Sequence, residues 1–229
     1  MPEIIKALIF DLDGVIVDSN PAIEAFWKNW AAKEAIELTD ALISEWIYGR
    51  KVDDTIIGLF DHITDSGKMN IKKSAYAFDN SMQPIAISGV ITFIRAVSQL
   101  ELPIGIVTSS HHPRMLKILE RLGIEREFTH FVTALDVTKG KPDPEPYKKM
   151  SAKMNVPYNH CLVFEDAISG IQSATSAGMF SIGIGNEKTK HDLLFHGAKD
   201  VIEDFTQISI NKENITILNG KVFGLSENN

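Results

Sequence analysis

The sequence predicts an α/β protein, in which a parallel sheet forms the core and a helical cap is inserted after the first strand. Short apolar runs, each of strand length and flanked by polar or turn residues, are typical of strands buried on both faces. They occupy residues 4–10, 103–107, 161–164 and 179–184, with a weaker run at 128–132. Helical patterns lie between these runs, and strands that alternate with helices form parallel sheets with right-handed crossovers.

The first element, the strand over residues 4–10, is separated from the second strand by an interval too long for one crossover. This interval reads as almost entirely helical, apart from a polar segment at 65–73. We therefore predict a cap domain over 19–83 and a core domain made of 1–18 and 84–229, with hinges near 17–20 and 83–88.

The remaining core elements follow in order. Apolar residues at helical spacing predict helices over 90–100 and 115–122, and Gly123 is placed to end the second of these. Two further helices are predicted over 147–154 and 167–177. In the tail, Asn219-Gly220 lies between apolar stretches, which predicts a hairpin over 215–223 that joins the sheet edge or packs against a partner.

Composition and charge argue against several classes of function. The 23 basic and 30 acidic residues give a net charge of -7, which disfavours a nucleic-acid surface. No apolar run is long enough to span a membrane, and the N-terminus lacks the layout of a signal peptide. Cys161 stands alone, so there is no intrachain disulfide framework. We expect a cytoplasmic protein, a monomer or weak homo-oligomer, with no nucleic-acid or membrane partner.

Polar side chains follow the carboxyl ends of the predicted strands, where open parallel sheets bind ligands. They are Asp11 and Asp13 after the first strand, Thr108, Ser109 and Ser110 after the second, Lys141 in a later loop, and Glu165 and Asp166 after the strand that ends at Phe164. Oxygen ligands at this density suit Mg²⁺, which binds a few carboxylates together with water and substrate phosphate. Side chains two apart on an extended chain face the same way, so Asp11 and Asp13 can share one site.

This set of side chains predicts phosphoryl transfer. Asp11, held against Mg²⁺, can attack phosphorus and form an aspartyl phosphate. Asp13 can protonate the leaving oxygen and later activate water. Thr108 and the backbone N–H groups of the two serines that follow it can hold phosphate oxygens, and Lys141 can neutralise charge on the nucleophile and the phosphoryl group.

Four segments together resemble the motifs of the haloacid dehalogenase superfamily, and they occur in the family's order. They are Asp11-Leu12-Asp13-Gly14-Val15, the strand with Thr108-Ser109-Ser110, Gly140-Lys141-Pro142-Asp143-Pro144, and Phe164-Glu165-Asp166. The resemblance covers residues 4–185, and the most similar branch holds β-phosphoglucomutases and small sugar-phosphate phosphatases. It implies a Rossmann-like sheet with an inserted cap, Mg²⁺ as the cofactor, and a small phosphorylated metabolite as the substrate.

The resemblance also implies a role for each matched residue. Asp11 matches the nucleophile and a magnesium ligand, whereas Asp13 matches the acid/base, whose backbone carbonyl also reaches the metal. Thr108 matches the phosphate-binding hydroxyl, and Lys141 matches the family's lysine. On the metal side, Asp166 matches the downstream magnesium ligand, with Glu165 as a helper. An aspartate at position 13 fits phosphoryl transfer rather than dehalogenation.

The cap loop and one cap helix bear on the substrate. Gly49, Arg50 and Lys51 resemble the loop that reads the substrate in this branch, and the basic pair is the best candidate to contact the distal part of a phosphorylated ligand. Mutases of the branch carry a histidine one helical turn before Trp27, where this chain has Ile23. A phosphatase acting on a sugar or polyol phosphate is therefore the main hypothesis. A β-phosphoglucomutase-type phosphotransferase and a non-catalytic phosphoester-binding module are the alternatives.

Overall fold

Six parallel strands form the main sheet of the computed structural model, which describes residues 3–217 and 221–225. The chain begins with a short strand, β1 (Ile4–Ile5), which is not part of this sheet. The strands of the main sheet are β2 (Ala7–Phe10), β3 (Ile104–Val107), β4 (His130–Val132), β5 (Cys161–Glu165), β6 (Phe180–Ile184) and β7 (Asp200–Ile202). They lie in the order β4-β3-β2-β5-β6-β7. Strands β2, β3 and β5 are buried along their whole length. Burial on both faces explains their continuous apolar sequences.

A helical cap lies between β2 and β3 in the chain. Its helices are α1 (Asn20–Lys33), α2 (Asp40–Trp46), α3 (Val52–Leu59) and α4 (Asp65–Ser81). The cap has its own apolar cluster, in which Trp27, Phe60 and Ile71 are buried together. The polar segment at 65–73 forms the first half of α4. The chain enters and leaves the cap side by side, since Val17 pairs with Ala86 in an isolated bridge.

Helices cover both faces of the main sheet. They are α5 (Val90–Ser98), α6 (His112–Leu122), α7 (Glu145–Met154), α8 (Ile168–Ser176) and α9 (Glu187–Phe195). Alternate residues of β2 serve the two faces, because Leu8 and Phe10 pack with α5 and α6, whereas Ala7 and Ile9 pack with α7. Helix α6 ends at Leu122, and Gly123 follows it with a left-handed φ of 65°, so the predicted end of this helix is confirmed.

The C-terminal segment forms a second, smaller sheet. Its strands are β8 (Ile208–Ile210), β9 (Asn214–Ile217) and β10 (Val222–Leu225), and the sheet order is β1-β10-β9-β8. The hairpin is therefore not an edge of the main sheet, because β10 pairs in parallel with β1. Residues 218–220, which include the predicted Asn-Gly turn, lie outside the described residues.

The predicted α/β class, with a parallel sheet and a helical cap, is confirmed. The exact division of the chain into cap and core domains stays a prediction. No range was predicted for helix α9, which is mostly polar, or for strand β7, which has only three residues. Within the described part of the chain, no helix is both long and apolar enough to cross a membrane.

Candidate active site

The carboxyl edge of the main sheet brings the four motif segments together. Asp11 directly follows β2, and its backbone N–H donates to the carbonyl of Phe164 on β5. Thr108 follows β3, and Glu165 ends β5. Lys141 comes from the loop before α7. The juxtaposition follows from topology, because β2 lies between β3 and β5 in the sheet.

Lys141 lies at the centre of this edge and is almost fully buried. Its Nζ donates to Asp11 Oδ1 at 2.7 Å, to Glu165 Oε1 at 2.5 Å and to the Val107 carbonyl at 3.2 Å. Burial alone would lower the pKa of Lys141, but the two carboxylates raise it above its ordinary value. The ammonium group is therefore held charged between two acids. Tyr147 donates a further 2.7 Å hydrogen bond to Glu165 Oε1.

Asp11, Glu165 and Asp166 form an acidic cluster. Each offers a carboxylate oxygen, and these oxygens lie within 4.8 Å of one another. Burial and the neighbouring acids raise the pKa of Asp11 to about 7, although Lys141 opposes the shift. The same two causes raise the pKa of Asp166 well above its usual range. Two buried acids, Asp11 and Glu165, and a half-buried third, Asp166, have one ammonium group near them, which leaves excess negative charge, so the donor set fits a divalent cation bound through oxygen.

The backbone next to the cluster is closely packed. Gly14 has a φ of +77°, and a Cβ placed there would lie 2.1 Å from Asp166 Oδ2. Only glycine fits this conformation and this gap. Asn20, at the start of α1, donates to Asp166 Oδ2 at 2.6 Å. The first residue of cap helix α1 is therefore hydrogen-bonded to Asp166 of the core.

The Asp13 side chain is not a member of the acidic cluster and receives four hydrogen bonds. Arg114 donates to both of its oxygens at 2.7 Å, Ser19 donates to Oδ1 at 2.5 Å, and Ser110 donates to Oδ2 at 3.0 Å. Burial would raise the pKa of Asp13, but the charge and hydrogen bonds of Arg114, with those of the two serines, hold it below its ordinary value. Asp13 is thus a fixed carboxylate in this arrangement.

The loop after β3 lies between this carboxylate and the cap. The Ser110 backbone N–H donates to the Thr108 hydroxyl at 3.0 Å. The Ser109 hydroxyl donates to the carbonyl of Gly49 in the cap loop at 2.7 Å. All three hydroxyl residues of this loop line the cavity that the cap covers.

The cap loop rests on the core through several further hydrogen bonds. Arg50 donates to the Lys141 carbonyl at 2.8 Å, and the Ser169 hydroxyl donates to the Tyr48 carbonyl at 3.1 Å. Gly49 and Arg50 line the cavity. Lys51 is turned elsewhere, because its Nζ donates to the Val137 carbonyl at 2.9 Å.

Several residues of the site were not identified from the sequence. Arg114 is the main one, and its side chain is only 5% exposed. Its one sequence signal is its position four residues after Ser110, which lies just before α6, and the two side chains are in contact at 2.6 Å. Asp79 and Asn20 were missed because they belong to the cap, and only the packed fold brings them to the core.

The fold and the site agree with comparisons to known proteins. A family model described as haloacid dehalogenase-like hydrolase matches residues 8–184. Validoxylamine A 7'-phosphate phosphatase of Streptomyces hygroscopicus subsp. limoneus is 28% identical, over 89% of this chain and 95% of its own. β-Phosphoglucomutase of Bacillus subtilis (strain 168) is 30% identical, over 79% of this chain and 83% of its own.

A solved β-phosphoglucomutase from Clostridium difficile shares the fold, with a TM-score of 0.74 and 24% identity over 90% of this chain and 94% of that one. The resemblance to the branch of phosphatases and β-phosphoglucomutases is confirmed. Since the family match spans all four motifs, the chain is an enzyme that belongs to the haloacid dehalogenase-like hydrolase family.

Proposed function

We propose that this enzyme is a Mg²⁺-dependent phosphatase that hydrolyses a small phosphorylated metabolite, a sugar or polyol phosphate, through an aspartyl phosphate on Asp11. The observation that carries the proposal is the contact of Lys141 with Asp11 within the acidic cluster, at the base of a cavity covered by the cap. The phosphatase named among the relatives supports it. The covered cavity is consistent with this chemistry, because exclusion of bulk water strengthens the electrostatic interactions around the reacting groups.

Asp11 and Asp166 are the ligands we propose for Mg²⁺, with the Asp13 backbone carbonyl and Glu165 as helpers. When bound, this ion supplies positive charge to the phosphoryl oxygens. Glu165 already accepts hydrogen bonds from Lys141 and Tyr147, so besides helping to bind the ion it holds the Lys141 ammonium group in place. The Thr108 hydroxyl and the N–H groups of the following serines bind the remaining phosphate oxygens in this proposal, for which the Ser110 N–H gives up its hydrogen bond to the Thr108 hydroxyl.

Asp11 acts first in the proposed reaction. Lys141 occupies Asp11 Oδ1, whereas Oδ2 accepts no hydrogen bond from the described residues and is available as the nucleophile. Its attack forms an oxygen–phosphorus bond as the bond from phosphorus to the leaving alcohol breaks. Asp13 gives a proton to the departing oxygen. To carry that proton, Asp13 has to give up part of its contact with Arg114, since its four donors favour the carboxylate.

Water completes the proposed cycle. Asp13, again a carboxylate, takes a proton from the water that attacks the phosphorus of the aspartyl phosphate. The bond to Asp11 breaks, inorganic phosphate leaves, and the Asp11 carboxylate is restored. The contacts of Ser109 with Gly49 and of Arg50 with Lys141 hold the cap loop over these steps.

The test is substitution of the nucleophile, which should abolish turnover while the fold is kept. Asp11→Asn should lose all measurable hydrolysis of p-nitrophenyl phosphate and of a panel of sugar and polyol phosphates with Mg²⁺. Asp18→Asn, an exposed acid on the same segment, is the matched control and should retain activity. Retained turnover in Asp11→Asn would overturn the nucleophile assignment. No turnover in the wild type would favour the non-catalytic binding module.

A mutase is the second candidate, and the β-phosphoglucomutase relative supports it. Ile23 lines the cavity. Mutases of the branch carry a histidine at the matching position of this cap helix, so the isoleucine here favours hydrolysis. Incubation with α- and β-glucose 1-phosphate separates the two activities. Free phosphate indicates a hydrolase, and glucose 6-phosphate without free phosphate indicates a mutase.

We also propose that the enzyme acts in the cytoplasm, as a monomer or weak homo-oligomer. The single cysteine, Cys161, is buried and unpaired, as is usual in a reducing compartment. Light scattering coupled to gel filtration measures the oligomeric state directly, and a stable tetramer would contradict the proposal.

A further inference from the structure

Arg114 lies between two carboxylates in the wall of the cavity, those of Asp13 and Asp79, and it contacts them unequally. Its terminal nitrogens form a bidentate pair with Asp13, and its Nε lies 3.1 Å from Asp79 Oδ1. The Nε is not aligned for a hydrogen bond to that oxygen. One guanidinium therefore faces two carboxylates, and the better contact goes to Asp13. This part of the cavity wall carries a net negative charge, with Asp79 the less neutralised acid.

Asp79 reaches the cavity from the cap. It lies near the end of α4 and lines the cavity with its side chain 21% exposed. Burial raises its pKa to about 6, against the attraction of Arg114 and with added repulsion from Asp13. At pH 7.5 the side chain is thus an ionised, incompletely paired acceptor. A hydroxyl group that donates to it would complete its pairing.

The apolar cap residues beside Asp79 carry no positive charge that would attract an anion. Ile23, Phe26, Trp27 and Phe78 line this part of the cavity. An anionic group placed there would lose its hydration without gaining a cationic partner. A neutral carbon skeleton would instead bury its apolar face.

The other guanidinium of the wall is already engaged. Arg50 donates to the Lys141 carbonyl and stacks over Trp46, with its guanidinium carbon 5.3 Å from the ring centre. Its charge therefore lies beside the loop that carries Lys141 and close to where the transferred phosphate would bind. No other guanidinium or ammonium group lines the cavity in the described residues.

We infer that Asp79 is a specificity-determining residue, which makes the enzyme select phosphate monoesters of neutral hydroxylated alcohols and reject esters that carry a second anionic group. The inference rests on the proposed phosphatase function. The neutral leaving group presents a hydroxyl to Asp79 and an apolar face to the cap. A second phosphate or a carboxylate meets the Asp79 charge in a poorly hydrated space.

Matched pairs of substrates test this inference. 2-Hydroxyethyl phosphate and 2-phosphoglycolate differ only in a terminal hydroxymethyl or carboxylate group, as do glucitol 6-phosphate and 6-phosphogluconate. With the full chain, Mg²⁺ and pH 7.5, the neutral member of each pair should have the higher kcat/KM by roughly 10- to 100-fold, since like charges repel strongly in a low dielectric. For an ester that is not cleaved, its inhibition constant against p-nitrophenyl phosphate gives the same comparison.

Removal of the charge should shrink this preference. Asp79→Asn should bring the ratio within each pair close to one, mainly through a lower KM for the anionic member. Asp79→Ser is the second variant, in case the amide is poorly accommodated. Asp61→Asn, an exposed cap acid outside the cavity, is the control and should keep the wild-type ratio.

The outcomes separate the inference from the proposed function. Turnover with no preference for the neutral esters, or an unchanged ratio in both Asp79 variants, would overturn the inference alone. Loss of all turnover by the wild type, p-nitrophenyl phosphate included, would overturn the proposed function and the inference with it.

Discussion

Asn20 donates a 2.6 Å hydrogen bond to Oδ2 of Asp166, and this contact joins the first residue of the cap to an acid of the core. A partner that orients a metal ligand usually affects affinity for the ion as much as activity. The contact makes cap position and the proposed Mg²⁺ binding parts of one arrangement.

Asn20→Ala should therefore weaken Mg²⁺ binding by about 10- to 100-fold, because Asp166 loses the donor that orients it. Isothermal titration of the metal alone measures the change without reference to turnover. Asn29→Ala, an exposed position on the same helix, should bind Mg²⁺ as the wild type does. Equal affinity in the Asn20 and Asn29 variants would show that Asp166 does not need this donor.

Lys141→Met should destabilise the metal-free protein by about 3–5 kcal/mol, since it leaves the buried acids Asp11 and Glu165 without their ammonium partner. Urea unfolding measures the loss. Added Mg²⁺ should recover part of it, because a bound cation replaces the missing charge. Lys139→Met, whose side chain is 75% exposed, serves as the control and should change stability by less than about 0.5 kcal/mol.

Asp79→Asn should change how stability depends on pH. The pKa of Asp79 is raised from 3.8 to about 6 in the folded protein, so protonation favours folding, and this contribution is lost as pH rises from about 4 through 6. Relative to the wild type, the variant should therefore gain about 1 kcal/mol of stability at pH 7.5 compared with pH 5. Denaturant unfolding at the two pH values measures the difference, and parallel changes in both proteins would contradict it.

Phe223→Ala should cost about 3–5 kcal/mol of stability, because its ring is fully buried in the apolar cluster beneath α5 and the main sheet. Its neighbour Val222 is 40% exposed, so Val222→Ala should cost well under 1 kcal/mol. Thermal or urea unfolding compares the two variants. Similar small losses of stability in both variants would mean that the C-terminal strands contribute little to the stability of the core.

The predictability of the site from sequence depends on how its residues are brought together. Asp11, Thr108 and Asp166 follow strands, and the rule that parallel strands end at one edge places them near each other without further information. Arg114 lies in the first turn of an amphipathic helix, and no local pattern separates a buried, paired arginine from a solvated one. Asp79 reaches the site only through the docking of the cap, which depends on tertiary packing.

The fold shows the same division. Buried strands such as β5 have continuous apolar sequences and could be predicted from them. Strand β7 has only three residues and includes Asp200, so it has no such run. The apolar run at 4–10 gives no sign that it divides between two sheets. That division depends on β10, more than two hundred residues later in the chain, so local sequence carries no information about it.

The pairing of Ile4 with Gly224 also sets an order for synthesis on the ribosome. Strand β2, which leads into Asp11, can meet β3 and β5 as soon as these have emerged, but β1 has to wait for β10. Until then Ile5, fully buried in the finished fold, faces water together with part of the apolar cluster. A nascent chain halted before residue 222 would hold an almost complete candidate active site beside an uncovered apolar surface, which is the kind of surface that chaperones bind.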